Sequence, residues 1–251
     1  MKKTAKTDLN LQHSPEAVTA RLKNSSKPQY VSDAVLGGID GCVTTFAIVS
    51  GAVGAGFPSS VAIVLGFANL FADGFSMGVS NYESIVAQKE FTDAIKRTEE
   101  DHIDRVPEGE REEIRQIFQQ KGFSGDTLEE IVKTISDDRQ LWIETMLTEE
   151  YGIPKATASP WRSGLTTFAA FLLVGAMPLL PFLLAGLSMQ EQFLISSAIA
   201  AVMFFAVGML KSFLFSMPVL VSGLRTLVTG SAAAGLAYIT GYILRTVFDI
   251  A

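Results

Sequence analysis

Cysteine is nearly absent from this 251-residue chain. Cys42 stands alone inside an apolar run, which excludes an intrachain disulfide and leaves the redox compartment open; it reads as a small packing residue. Charged residues make up only 18%, below the roughly 25% of a soluble globular chain. A cleaved signal peptide is not expected, because Lys2 and Lys3 are followed by polar sequence from Thr4 to Lys27 with no hydrophobic core.

What the chain has instead is long uncharged sequence. Ser163 to Gln190, Gln192 to Leu210 and Thr226 to Leu244 carry no charge, and each is long enough to cross a roughly 30 Å hydrocarbon core as a helix. Two further apolar stretches, Val31 to Phe57 and Pro58 to Asn81, hold aspartates at Asp33, Asp40 and Asp73. The fold class expected is an all-α membrane protein of five transmembrane helices. Its expected segments are a mobile cytosolic arm at 1–29, spans one and two at 30–82, a cytosolic helical insert at 83–158, and spans three to five at 159–251. Pro178 and Pro181 are expected to kink the third span.

Topology follows from where bases are missing. The arm holds Lys2, Lys3, Lys6, Arg21, Lys23 and Lys27, whereas the turns Gly54–Ser60 and Leu187–Gln192 contain none. The positive-inside rule makes the arm cytosolic, those turns external and the C-terminus external, with Lys211 and Arg225 flanking a cytosolic turn at Met217-Pro218. The segment from Tyr82 to Arg162 is then cytosolic, and its 19 acids against 11 bases give it a net charge of −8. It reads as three helices: one continuing span two to about Asp104 and ended by Pro107, one from about Glu108 to Gln120, and one from Gly125 to Tyr151, where Asp126 and Glu129 resemble a capping pattern.

Acids inside apolar stretches are expensive unless they face a cation, water or a partner. Asp33 and Asp40 are seven residues apart and share a helix face; Asn69, Asp73 and Met77 follow at intervals of four. These five line the expected translocation path, although Asp33 also suits a helix N-cap and Met77 ordinary packing. In the insert, Glu99 and His102 share one face, as do Glu110 and Glu113, and Met146 precedes Glu150 by one turn. This mixture of carboxylate, imidazole and thioether suits Fe²⁺ or Mn²⁺ better than Ca²⁺ or Mg²⁺, against the alternatives of a solvated acidic face and a core methionine. Gly37-x-x-x-Gly41, Gly74-x-x-x-Gly78 and the stretch Gly230 to Gly235 allow helices to approach closely.

Taken in order, Ser32-Asp-Ala-Val-Leu-Gly-Gly-Ile-Asp-Gly41, Gly66-Phe-Ala-Asn-Leu-Phe-Ala-Asp-Gly-Phe-Ser-Met-Gly78, the acidic insert ending Met146-Leu-Thr-Glu-Glu-Tyr-Gly152, Phe168 to Pro181 and Leu224 to Gly241 resemble the vacuolar iron transporter family. The resemblance implies a homodimeric five-span transporter that moves Fe²⁺, and often Mn²⁺, out of the cytosol in exchange for protons. It implies path roles for Asp33, Asp40 and Met77, and ligand roles in the insert for Glu99, Glu110, Glu113, Met146 and Glu150. The chain departs from the family pattern at Asn69, with Asp73 four residues on, at Asn81, at His102 in place of a glutamate, and at Leu147 in place of a further ligand.

A membrane-anchored di-iron oxidase is the competing enzyme reading, because Glu99-x-x-His102 is half of such a site; the only other histidine is His13. A metal-sensing regulatory membrane protein is the other alternative, and it leaves Asp40 without a purpose. The expectation is a transporter and not an enzyme, with no prosthetic group. Its partners are divalent metal ions, protons, the bilayer and a second copy of the chain, with no nucleic acid. A bacterial inner membrane is favoured over an organelle membrane.

Overall fold

The computed structural model describes residues 11, 13–25, 30–154, 158–215 and 218–248. These fold into α1 (Pro15–Ser25), α2 (Val31–Gly54), α3 (Ser59–Arg105), α4 (Pro107–Gln120), α5 (Gly125–Ser136), α6 (Arg139–Glu149), α7 (Pro160–Gly175), a short 3₁₀ helix (Met177–Leu183), α8 (Met189–Phe215) and α9 (Val219–Phe248). There is no strand among them. The chain divides into two compact units, one of Met1–Pro28 with Ile85–Ala158 and one of Gln29–Ser84 with Ser159–Ala251. About half of the expected mobile arm lies outside the described residues; Pro15–Ser25 of it forms α1. Met217 of the expected cytosolic turn and the residues after Phe248 also lie outside them.

Four helices, α2, α3, α8 and α9, are long and apolar enough to cross a membrane, and a fifth crossing is available if α7 and the 3₁₀ helix count as one span bent by 41°. The bend falls where the two prolines were expected to put it. Proline removes backbone donors, and in lipid the freed carbonyls need partners from neighbouring helices. The Pro178 carbonyl, which Pro181 cannot serve, accepts from Ser196 of α8 at 2.6 Å, and the Leu184 carbonyl at the end of the 3₁₀ helix accepts from Gln192 of α8 at 3.2 Å.

Small residues bring the helices of this unit together. A Cβ on Gly41 would meet the Phe171 carbonyl oxygen at 2.5 Å and its Cα at 2.9 Å, and one on Gly175 would meet the Gly41 oxygen at 2.7 Å. The backbones of α2 and α7 therefore touch where only glycine permits it. Gly78 and Gly164 do the same for α3 and α7, and Gly54 and Gly241 for α2 and α9. The smooth side expected at Gly230–Gly235 is only half realised: Gly230 receives the Phe204 ring, while Gly235 faces open space.

In the other unit the expected third helix is two. Asp138 breaks it, adopting an extended backbone and accepting from the Gln140 and Leu141 amides as the N-cap of α6. The capping pattern expected at Asp126 is also displaced, since Ser124 is the N-cap of α5 and makes no side-chain cap bond. Ile103, Ile114, Leu128, Val132, Ile135, Trp142, Ile143 and Met146 form the core of this unit. Arg111 lies over the Trp142 ring at 5.6 Å, and Arg139 grips Asp104 through two hydrogen bonds of 2.5 and 2.9 Å, which pins the start of α6 to the end of α3.

Candidate metal centre

The last two turns of α3 carry Glu99, His102 and Ile103 on adjoining positions, and burying Ile103 in the core draws Glu99 inward while His102 stays half-exposed at the rim. Pro107 at the start of α4 turns the chain at Val106, which brings Glu110 in the first turn of α4 back against them. Ligand atoms of Glu99, His102 and Glu110 all fall within 4.8 Å of one another. His102 Nδ1 lies 3.3 Å from Glu110 Oε1 and 4.0 Å from Glu99 Oε1. Tyr151, just beyond α6, donates its hydroxyl to Glu99 Oε1 at 2.9 Å.

The second oxygen of each acid has no such partner. Glu99 is 1% exposed and Glu110 2%, and Oε2 of both is buried with no hydrogen bond among the described residues. Buried, unpaired carboxylate oxygens are costly, and a proton or a cation relieves them. Glu110 is pushed up to about 7 by burial first and then by the charges of Glu99 and Glu113, with His102 acting weakly in the other direction. Burial and the charges of Glu99 and Glu113 also raise Glu150. The same environment, together with its bond to Glu99, raises the Tyr151 hydroxyl.

Five of the six insert residues singled out from sequence thus share one acidic patch: Glu99, His102 and Glu110 in mutual reach, with Glu113 and Glu150 near enough for their charges to act on it. Met146 is fully buried in the adjoining core, one turn before Glu150, the C-cap residue of α6. Leu147 is half-buried and packs on that core. Tyr151 was missed in the sequence; its only signal is its place directly after Glu150. Among the described residues the cluster holds one histidine, where a di-iron centre needs two such Glu-x-x-His pairs.

The five residues expected to line a path lie in the other unit. Asp33 sits in the first turn of α2 but is not its cap: Tyr30 is, and it makes no cap bond. Instead Asp33 Oδ1 accepts from Asn81 of α3 at 3.2 Å, and Asn81 also donates to the Thr167 hydroxyl of α7 at 2.7 Å. Asn81 and Thr167 thus join three helices around Asp33, a role that local sequence does not signal. Asp40 and Asp73 are half-buried and close enough for their charges to interact. Asn69 has a buried, unpartnered Nδ2 and borders a groove of about 440 Å³ with Ile48, Leu65, Ala68 and Ala72. Met77 packs on the cluster around Leu70, Phe171 and Leu179.

Comparison with known proteins covers both units. The sequence model of the VIT family matches residues 31–242. The chain is 32% identical over 234 residues to a vacuolar iron transporter of Toxoplasma gondii, spanning 89% of this chain and 77% of that protein. It is 30% identical over 232 residues to one of Plasmodium berghei, spanning 89% and 85%. It is 28% identical over 229 residues to vacuolar iron transporter 1 of Tulipa gesneriana, spanning 90% and 91%.

Proposed function

Since the chain belongs to the VIT family, we propose that it carries Fe²⁺, and with it Mn²⁺ and related divalent transition metals, out of the cytosol in exchange for protons. The observation that carries this reading is the pair of buried carboxylates, Glu99 and Glu110, each with an oxygen that nothing among the described residues satisfies. Borderline imidazole and hard carboxylate donors together select a first-row divalent ion. In this scheme Glu99, His102 and Glu110 seize the metal, with Glu113, Glu150 and the Met146 thioether completing the set, and Tyr151 orients Glu99.

Release and passage use the same competition between metal and proton. Asp33, Asp40, Asn69, Asp73 and Met77 line the route. A carboxylate that takes a proton loses its hold on a cation, so protons entering from outside displace metal from Asp40 and Asp73 and ride inward in its place. The buried amide of Asn69 and the groove beside it suit a route closed by a second copy of the chain, which makes the working unit a homodimer.

The test is metal flux in proteoliposomes carrying a pH gradient, with Fe²⁺ (under anaerobic conditions), Mn²⁺, Co²⁺ and Zn²⁺ compared. Wild type is expected to move Fe²⁺ and to dissipate the gradient as it does so. Asp40→Asn, which keeps the size of the side chain, is expected to insert normally and lose transport. Wild-type flux in Asp40→Asn, or metal movement with no accompanying proton flux, overturns the mechanism.

A further inference from the structure

Within the unit that holds the path, no ion pair forms among the described residues; every recorded pair lies in the acidic insert. Two bases of this unit nevertheless face the same small cavity. Lys211, near the end of α8, and Arg225, in the second turn of α9, line about 210 Å³ together with Ile39, Ser222, Thr226 and Thr229. Lys211 is half-buried and Arg225 exposed. Like charges brought to one cavity repel unless an anion lies between them.

The lining fits one kind of anion. A guanidinium fork and an ammonium match the oxygens of a phosphate group, whose several acceptors take bonds from both. The hydroxyls make the lining polar without donating to the anion, since Thr226 donates to the Ser222 carbonyl at 3.2 Å and Thr229 to the Thr226 carbonyl at 3.0 Å. The space is smaller than the roughly 300 Å³ at which ordinary small-molecule pockets begin, so it admits a headgroup and not a large solute. Around its mouth the surface is apolar: Leu210, Val221, Leu224 and Val228 are exposed on the same two helices, as acyl chains require.

We propose that this cavity binds a phosphate group, and that the group belongs to an anionic phospholipid of the bilayer. The headgroup sits between Lys211 and Arg225 while its chains lie along α8 and α9. The site is independent of the transport reading; only its assignment to the cytosolic leaflet rests on the charge-based orientation. Basic pockets between transmembrane helices are suited to such headgroups.

The experiment uses the full chain in detergent, stripped of lipid and then offered phosphatidylglycerol or phosphatidylcholine with the same acyl chains, with bound lipid counted by native mass spectrometry. Wild type is expected to hold phosphatidylglycerol about tenfold more tightly. Lys211→Gln combined with Arg225→Gln is expected to lose that preference, and Lys211→Arg combined with Arg225→Lys, which exchanges the bases but keeps both charges, to retain it. Thermal unfolding of each variant separates lost binding from lost fold. Equal retention of the two lipids by wild type, or an undiminished preference in the glutamine pair, overturns the site. Inorganic phosphate that stabilises the protein as well as phosphatidylglycerol does overturns the lipid as its source.

Discussion

A carboxyl that is 2% exposed, beside two other acids and a half-exposed imidazole, keeps its proton to near neutrality, and Glu110 does so to about 7. The usual unfolded value is about 4.3, so between the two the folded, metal-free protein holds a proton that the unfolded chain has released. Stability of the metal-free protein therefore falls as pH rises from about 4.5 to 7, by on the order of 1 to 3 kcal/mol. Metal affinity moves the opposite way, because the ligand must be deprotonated. Unfolding of the chelator-treated protein at pH 5.5 and 7.5 checks this, and Glu110→Gln is expected to flatten the dependence. An unchanged slope in that variant would assign the proton elsewhere. At this scale the sequence supplied the ligand types and their pairing along each helix. The bond from Tyr151 to Glu99 spans 52 residues, and no local spacing encodes it.

Helix contacts in the membrane depend on what is missing from side chains. On α2, Gly41 lets the backbone of α7 come so near that a methyl group would strike main-chain atoms of Phe171, which cannot swing aside. Gly41→Ala is therefore expected to cost about 1 to 3 kcal/mol, the usual range for overpacking, read as a lower thermal midpoint in detergent. Gly235 on α9 meets nothing within 4 Å, so Gly235→Ala is expected to be neutral or to gain up to about 1 kcal/mol from helix propensity alone. Equal effects at the two positions would mean that propensity, and not contact, governs both. The small-residue spacing was legible in the sequence, but it is the same at crowded and open sites; which glycine is crowded depends on the helix that faces it.

Whether the bent pair of α7 and the 3₁₀ helix crosses the membrane sets the topology of the whole molecule. If it does, the turn at Ser60 and the turn at Ser188 lie on one side and Ser124 in the insert on the other. In a Cys42→Ser background, an impermeant maleimide applied to intact cells is expected to label Ser60→Cys and Ser188→Cys at once, and Ser124→Cys only after permeabilisation. Labelling of Ser188→Cys in step with Ser124→Cys would make the bent pair a re-entrant segment and leave four spans.

Length of apolar sequence and distribution of charge were enough, without coordinates, to find four helices long and apolar enough to cross a membrane, the acidic character of residues 82–162 and the proline-induced bend, because hydrocarbon thickness and backbone hydrogen bonding act on the chain one segment at a time. The family was legible in the order of its motifs, and the match over residues 31–242 bears that out. Tertiary structure decided what depends on distance between segments: that Asp138 splits one expected helix into two, that Asp33 is held by Asn81 instead of capping α2, and that Lys211 and Arg225 open onto one cavity. These follow from how helices pack against one another, and packing joins residues that the sequence keeps far apart.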